Sequence, residues 1–233
     1  MGKFPADELI IQNAGTFEEA CQLVAKRIQP KLVDAAERAI EKWVQSQEWR
    51  GIFDWWDSKK GVRFYPPDWA VATQAEGIAC YEWYVAADGK EPENEYSLTA
   101  ILGGGRDANG FVFLFGASDA GAKKADFRKF VSDFVANPAN KHIDVESAGF
   151  HYNEKEASWY LPWRLVPDQV AAQYDQIAAG VEVLGEAFEP LSQALQAIGS
   201  AHPFFVRLVA QARRQFKAPG EKKTPASKKK SEK

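Results

Sequence analysis

The chain is poor in the residues that most often announce chemistry. Two cysteines in 233 residues, Cys21 and Cys80, are too few for a disulfide framework or a thiolate metal site. Their scarcity fits a reducing cytoplasm. Three histidines leave little material for an imidazole-based metal centre. There is no Gly-x-Ser-x-Gly elbow, and neither cysteine has a histidine near it in sequence, so nucleophilic catalysis has no signature. No run of about 18 apolar residues occurs, and "MGKFPADELI" has neither the apolar segment nor the small-residue cleavage site of a signal peptide. These absences point away from an enzyme, a cofactor, a metal, a secreted protein and a membrane span.

What is present is a core. Hydrophobic residues make up 45% of the chain and aromatic residues 13%, enough for one domain of generous size. The net charge of −3 hides an asymmetry, because residues 213–233 hold nine Lys/Arg against two Glu and leave the rest of the chain at −10. The end of the chain, "KAPGEKKTPASKKKSEK", has almost no apolar content and is predicted to be disordered. Its Lys222, Lys223, Lys228, Lys229 and Lys230 suit sequence-independent contacts with DNA or RNA phosphates, and equally suit a solubilising terminus.

Periodicity places the elements. "TFEE" at Thr16 has the form of a capping box, and Phe17, Cys21, Val24, Ile28, Leu32, Ala36, Ala39 and Trp43 then mark one helical face. Pro30 should kink or divide that helix. "IACYEWYVA" (78–86), "YSLTAIL" (96–102) and "FVFLF" (111–115) read as three strands of a meander, the second joined to the third by "GGGRDANG". That glycine-rich run lacks the Gly-Lys-Ser/Thr ending of a phosphate loop and is read as a hairpin connection. "KADFRKFVSDFV" sets Phe127, Phe130, Val131 and Phe134 on a helical face that Asn137-Pro138 stops, and two more strands are expected around 142–152 and 157–163. Val170, Tyr174, Ile177, Val181, Leu184, Phe188, Leu191, Leu195 and Ile198 alternate four and three apart, a heptad seam that Gly180, Gly185 and Pro190 should bend or split. Packing within the chain is one use of this seam, and a homodimer is another. A last helix is expected from Pro203.

Two groups of residues are candidates for a site. "WRGIFDWWDSKKGVRFYPPDW" (49–69) concentrates four of the eight tryptophans among charges and breakers. Trp55, Trp56 and Trp69, interleaved with Arg50 and Arg63, suit a stacking platform for a ligand; the plainer reading makes them the wall of a core. His142, Asp144 and Glu146 alternate on an expected strand and would share one face, where a hydrolase could use them. A solvated strand face carries the same pattern.

From Trp43 to Ile198 the succession "FYPPDW", "GIACYEWYV", "LTAILGGG", "GFVFLF", "ASWYLPWRL" and "EAFEPLSQALQAI" resembles the aromatic-rich accessory region of some bacterial and phage proteins classed with the PD-(D/E)XK nuclease superfamily. The resemblance spans roughly two thirds of the chain and implies a fold and a defence or mobile-element setting. It brings no catalytic residues. The nuclease needs an acidic residue followed by Asp/Glu-x-Lys on the next strand, and Asp57-Ser58-Lys59 and Pro67-Asp68 occur in the wrong order.

The sequence therefore predicts an α+β protein: an antiparallel sheet of about five strands, flanked by a long N-terminal helix and a C-terminal helical layer. Its expected divisions are an N-terminal arm (1–15), a single domain (16–216) and the Lys-rich tail (217–233). The expected role is a non-enzymatic cytoplasmic binding or adaptor protein with a protein partner. The alternatives are a nucleic-acid-associated protein held by its tail, and a hydrolase or nuclease-like enzyme.

Overall fold

A computed structural model describes residues 5–57, 61–70, 78–85, 97–102, 109–140, 145–180 and 185–216. Helices α1 (Pro5–Gln12) and α2 (Ala14–Leu23) lead through a π-helical turn, Val24–Ile28, into α3 (Gln29–Ser46). The π turn has an identifiable cause. Pro30 has no N–H to give the carbonyl of Lys26, so the ladder opens just where the sequence predicts a disturbance. Thr16, by contrast, is no cap. Helix already surrounds it, and the Phe17 N–H bonds the Asn13 carbonyl at 3.0 Å, because α1 delivers the chain to α2 across Asn13 alone.

A hairpin of β1 (Arg50–Asp54) and β2 (Gly61–Tyr65) follows, then a 3₁₀ turn at Pro67–Trp69, β3 (Cys80–Val85), α4 (Ser97–Ile101) and β4 (Asn109–Leu114). Next come α5 (Ala117–Ala120), α6 (Lys124–Ala136), β5 (His151–Asn153), β6 (Ser158–Pro162), α7 (Pro167–Ala178) and α8 (Glu189–Phe216). All strand pairs are antiparallel, in the order β1-β2-β3-β4-β6-β5. The chain is thus an α+β protein with six strands where about five are expected. The added pair is the hairpin inside the tryptophan-rich stretch.

Several elements depart from the sequence pattern. "YSLTAIL" is not a strand: Ser97–Ile101 is helical, with Leu102 N–H on the Leu98 carbonyl at 2.9 Å. The position beside β3 that it would fill belongs to β4, paired with β3 from Cys80–Leu114 to Val85–Asn109. A short apolar run is ambiguous by periodicity, and tertiary pairing decides it. Asn109-Gly110 accordingly opens β4 instead of closing a loop. Of the strand expected over 142–152, the described residues form only His151–Asn153; residues 145–149 are a turn, reversed at Gly149 with φ +94°, and 142–144 lie outside the described residues. The heptad seam is split between α7 and α8. Gly180, at φ +71°, lies just beyond the C-terminus of α7, as a left-handed glycine commonly does. The helix expected from Pro203 is continuous with what precedes it, so that Pro203 lies inside α8 and its ring faces the carbonyl of Gly199.

The core lies on one face of the sheet. Phe64, Tyr81, Trp83, Phe111, Phe113, Trp159 and Leu161 alternate inward and are buried. Leu32, Ala36 and Ile40 of α3, with Leu191, Ile198, Phe205 and Leu208 of α8, close over them. Val170, Ile177, Phe188 and Leu195 are buried as well, so these members of the seam are used within the chain, while Val181 and Leu184 lie outside the described residues. No described helix is long and apolar enough to cross a membrane.

Candidate functional site

The tryptophan-rich stretch divides between two faces of its hairpin. Trp69 is 3% exposed, in contact with Tyr81 and Phe113 on the core side, and presents no ring to a ligand. Trp55 is half-buried and lies on Trp83 with ring centroids 4.1 Å apart. Its backbone N–H donates to Glu37 Oε2 at 2.8 Å, and the exposed Trp56 donates its indole N–H to Asp34 Oδ1 at 3.2 Å. Both carboxylates belong to α3, so the turn is clamped to a helix of its own chain. Burial raises the Glu37 pKa, the Trp55 N–H opposes the rise, and Asp34, Asp54 and Glu41 add to it.

Arg50 and Arg63 point the other way. The register places Arg50, Ile52 and Asp54 of β1 on the sheet face opposite Phe64 and Tyr81, together with Arg63 of β2. The arginines and the tryptophans that the sequence groups as one platform are therefore separated by the thickness of the sheet. Of the third candidate group, Glu146 is exposed in the turn at 145–149 and on no strand, while His142 and Asp144 lie outside the described residues. The lysines from Lys222 to Lys230 lie outside them too. Among the described residues, no group of three or more His, Cys, Asp or Glu could hold a metal ion.

The outer sheet face carries an arrangement that no local motif announces. Pairing across all six strands sets Ile52, Arg63, Glu82, Val112, Tyr160 and His151 side by side, one from each strand. At about 4.8 Å per strand the row is about 24 Å long. In its middle, Arg63 Nε lies 3.3 Å from Glu82 Oε2, and Arg63 Nη2 donates to Glu82 Oε1 at 3.3 Å. One hydrogen bond and one close ion contact thus pair the two charges. Tyr84, 44% exposed, and Leu114, 38% exposed, flank the row on β3 and β4. Gly110 lies between Tyr84 and Pro162, and the Tyr160 ring occupies the space above it: a Cβ there would stand 2.6 Å from Tyr160 Cε2 and 2.4 Å from the Leu161 carbonyl oxygen.

Tyrosine and leucine are exposed around a paired arginine, and Arg50 and Arg63 are balanced by Asp54 and Glu82. Interface cores favour aromatic residues and arginine and are depleted in unpaired charge. A polyanion requires an excess of cations, which the described residues of this face lack. Compared with known proteins, the chain matches no family model, no curated protein and no solved structure.

Proposed function

We propose that the chain is a non-enzymatic, cytoplasmic adaptor that docks a partner protein on the outer face of its sheet. The observation that carries this reading is the row from Ile52 to His151, built on a self-neutralised Arg63–Glu82 pair and flanked by the exposed Tyr84 and Leu114. Large apolar side chains left on a sheet face, around a charge pair already satisfied, offer a partner buried area without an unpaired charge. The test is the pair Tyr84→Ser and Leu114→Ser in the full chain. Both side chains point away from the core, so the circular dichroism spectrum and unfolding midpoint should stay close to the parent's, while a stoichiometric co-purifying protein is lost. Retention of that protein by the folded double variant would contradict the reading.

The Lys-rich end supports a second, separable reading. Residues 213–233 carry a balance of +7, suited to a sequence-independent hold on DNA or RNA. Fluorescence anisotropy with labelled single- and double-stranded probes would show affinity that falls steeply with salt and disappears when the chain ends at Phe216. Salt-insensitive binding, or binding that survives truncation, would contradict it.

A further inference from the structure

Five of the ten exposed large hydrophobic residues among the described residues lie between positions 9 and 23: Leu9, Ile10, Ile11, Phe17 and Leu23. No residue of α2 is buried, and its substantial contacts are with α1 and the π turn alone. The base of this arm is fixed, because Tyr174 of α7 donates its hydroxyl to the Arg27 carbonyl at 3.5 Å. Beyond it, an apolar helix stands without the packing from which helices draw most of their stability.

The arm's sequence states what kind of partner it needs. Ile10, Ala14, Phe17 and Cys21 recur at intervals of four and three, the repeat by which one helix seats on another, and half-buried Val24 extends the row into the π turn before Ile28 joins the chain's own core. Charge then chooses among partners. Between positions 4 and 25 there is no Lys or Arg, and the acids stand as Asp7-Glu8 and Glu18-Glu19; the bases arrive together at Lys26-Arg27. We infer that α1, α2 and the π turn pair with the same segment of a second copy of this chain, antiparallel, about a two-fold axis at Phe17. In that register Ile10 meets Val24 of the other copy, Glu8 meets Lys26, and Asp7 meets Arg27, each contact occurring twice. Glu18 and Glu19 meet Thr16 and Gly15. A parallel pairing would instead set every acid against itself and Lys26-Arg27 against Lys26-Arg27, at a cost. From Asp7 to Arg27 the overlap is 21 residues, about 30 Å, interrupted at Asn13 and by the π turn, so the two copies meet chiefly along α2.

Sedimentation equilibrium of the full chain tests this. The parent should dimerise, and Phe17→Glu, which places two like charges on the axis, should raise the dimer dissociation constant by more than about tenfold. Because α2 buries nothing, the variant's circular dichroism should retain the fold. Glu8→Lys and Lys26→Glu should each weaken the dimer, and the two together should restore it. In a Cys21→Ser background, Phe17→Cys should give a disulfide-linked dimer on mild oxidation. A parent that stays monomeric, a dimer indifferent to Phe17→Glu, a charge double no better than its singles, or a parent dimer that crosslinks through Cys21 would each overturn the inference.

Discussion

The ring of Trp55 rests on that of Trp83 at a centroid separation of 4.1 Å, and Trp83 in turn donates its indole N–H to Asn109 Oδ1 at 2.6 Å. The turn after β1 is thereby tied through β3 to β4, and a residue that looks like a ligand-stacking platform in sequence is a fastening between elements. Trp55→Ala should destabilise the fold by about 2–4 kcal/mol in urea unfolding, below the full core value because the ring is half-exposed. Trp56→Ala, which loses one exposed contact to Asp34, should stay within about 0.5 kcal/mol.

A pH dependence follows from His202. Its Nδ1 lies 3.1 Å from the buried Tyr81 hydroxyl, with Trp49 and Trp69 rings at 4.6 and 5.1 Å. Burial holds the Tyr81 pKa well above its ordinary value, so the phenol keeps its proton and shares with the neutral ring a hydrogen bond whose direction follows the His202 tautomer. Burial lowers the His202 pKa to about 4 from 6.5, with Asp68 opposing the shift. Between those values the unfolded chain binds more protons than the folded one. Stability should therefore be full above about pH 6.5, decline by about 2 kcal/mol as pH falls to 4, and flatten below. His202→Asn, whose amide can accept from or donate to Tyr81, should remove that part of the slope in denaturation series taken at stepped pH.

Glu37 works in the opposite sense. A carboxyl whose folded pKa is raised binds more protons folded than unfolded, so it costs stability above its folded pKa and the cost is relieved as pH falls through that value. Glu37→Gln keeps an oxygen for the Trp55 N–H and removes repulsion from Asp34, Asp54 and Glu41. At neutral pH it should raise the melting temperature by about 2 °C at most, since the site is partly solvated, and the gain should vanish near pH 4. A loss at neutral pH would contradict this.

Gly110 is required for steric reasons. An added Cβ would collide with a backbone oxygen and with the Tyr160 ring. Gly110→Ala should cost about 1–3 kcal/mol in unfolding. The sterically tolerated comparison is Gly199→Ala in α8, where the nearest atom to a Cβ is Trp43 Cζ2 at 3.5 Å, an ordinary contact; there helix propensity should add about 0.5–1 kcal/mol of stability.

Local signals carried much of the fold. The spacing of Phe127, Phe130, Val131 and Phe134 marks α6, and all four are buried. The alternation of Tyr81, Trp83 and Val85 marks β3. The β1–β2 hairpin was hidden because Gly51 and Gly61 read as breakers. In the fold, the Phe53 ring fills the space where Gly51 has no side chain, and Gly61 takes φ +58° at the end of the turn. The seam from Phe17 to Trp43 reads as one face, but the π turn at Val24–Ile28 changes its phase: Leu32, Ala36 and Ala39 reach the core while Phe17 and Cys21 face solvent. The outer sheet face was illegible altogether. Arg63 and Glu82 are 19 residues apart, and nothing short of the register aligns them with Tyr160 and His151.

The most direct measurement places a photo-crosslinking amino acid singly at Tyr84, Leu114 and, as a control on the exposed side of α6, Arg128 in the full chain. Irradiation in cells, followed by mass spectrometry of the adducts, should give one protein joined at Tyr84 and Leu114 and absent at Arg128. The same adducts from all three positions, or none from Tyr84 and Leu114, would contradict the assignment of the outer sheet face as the docking surface.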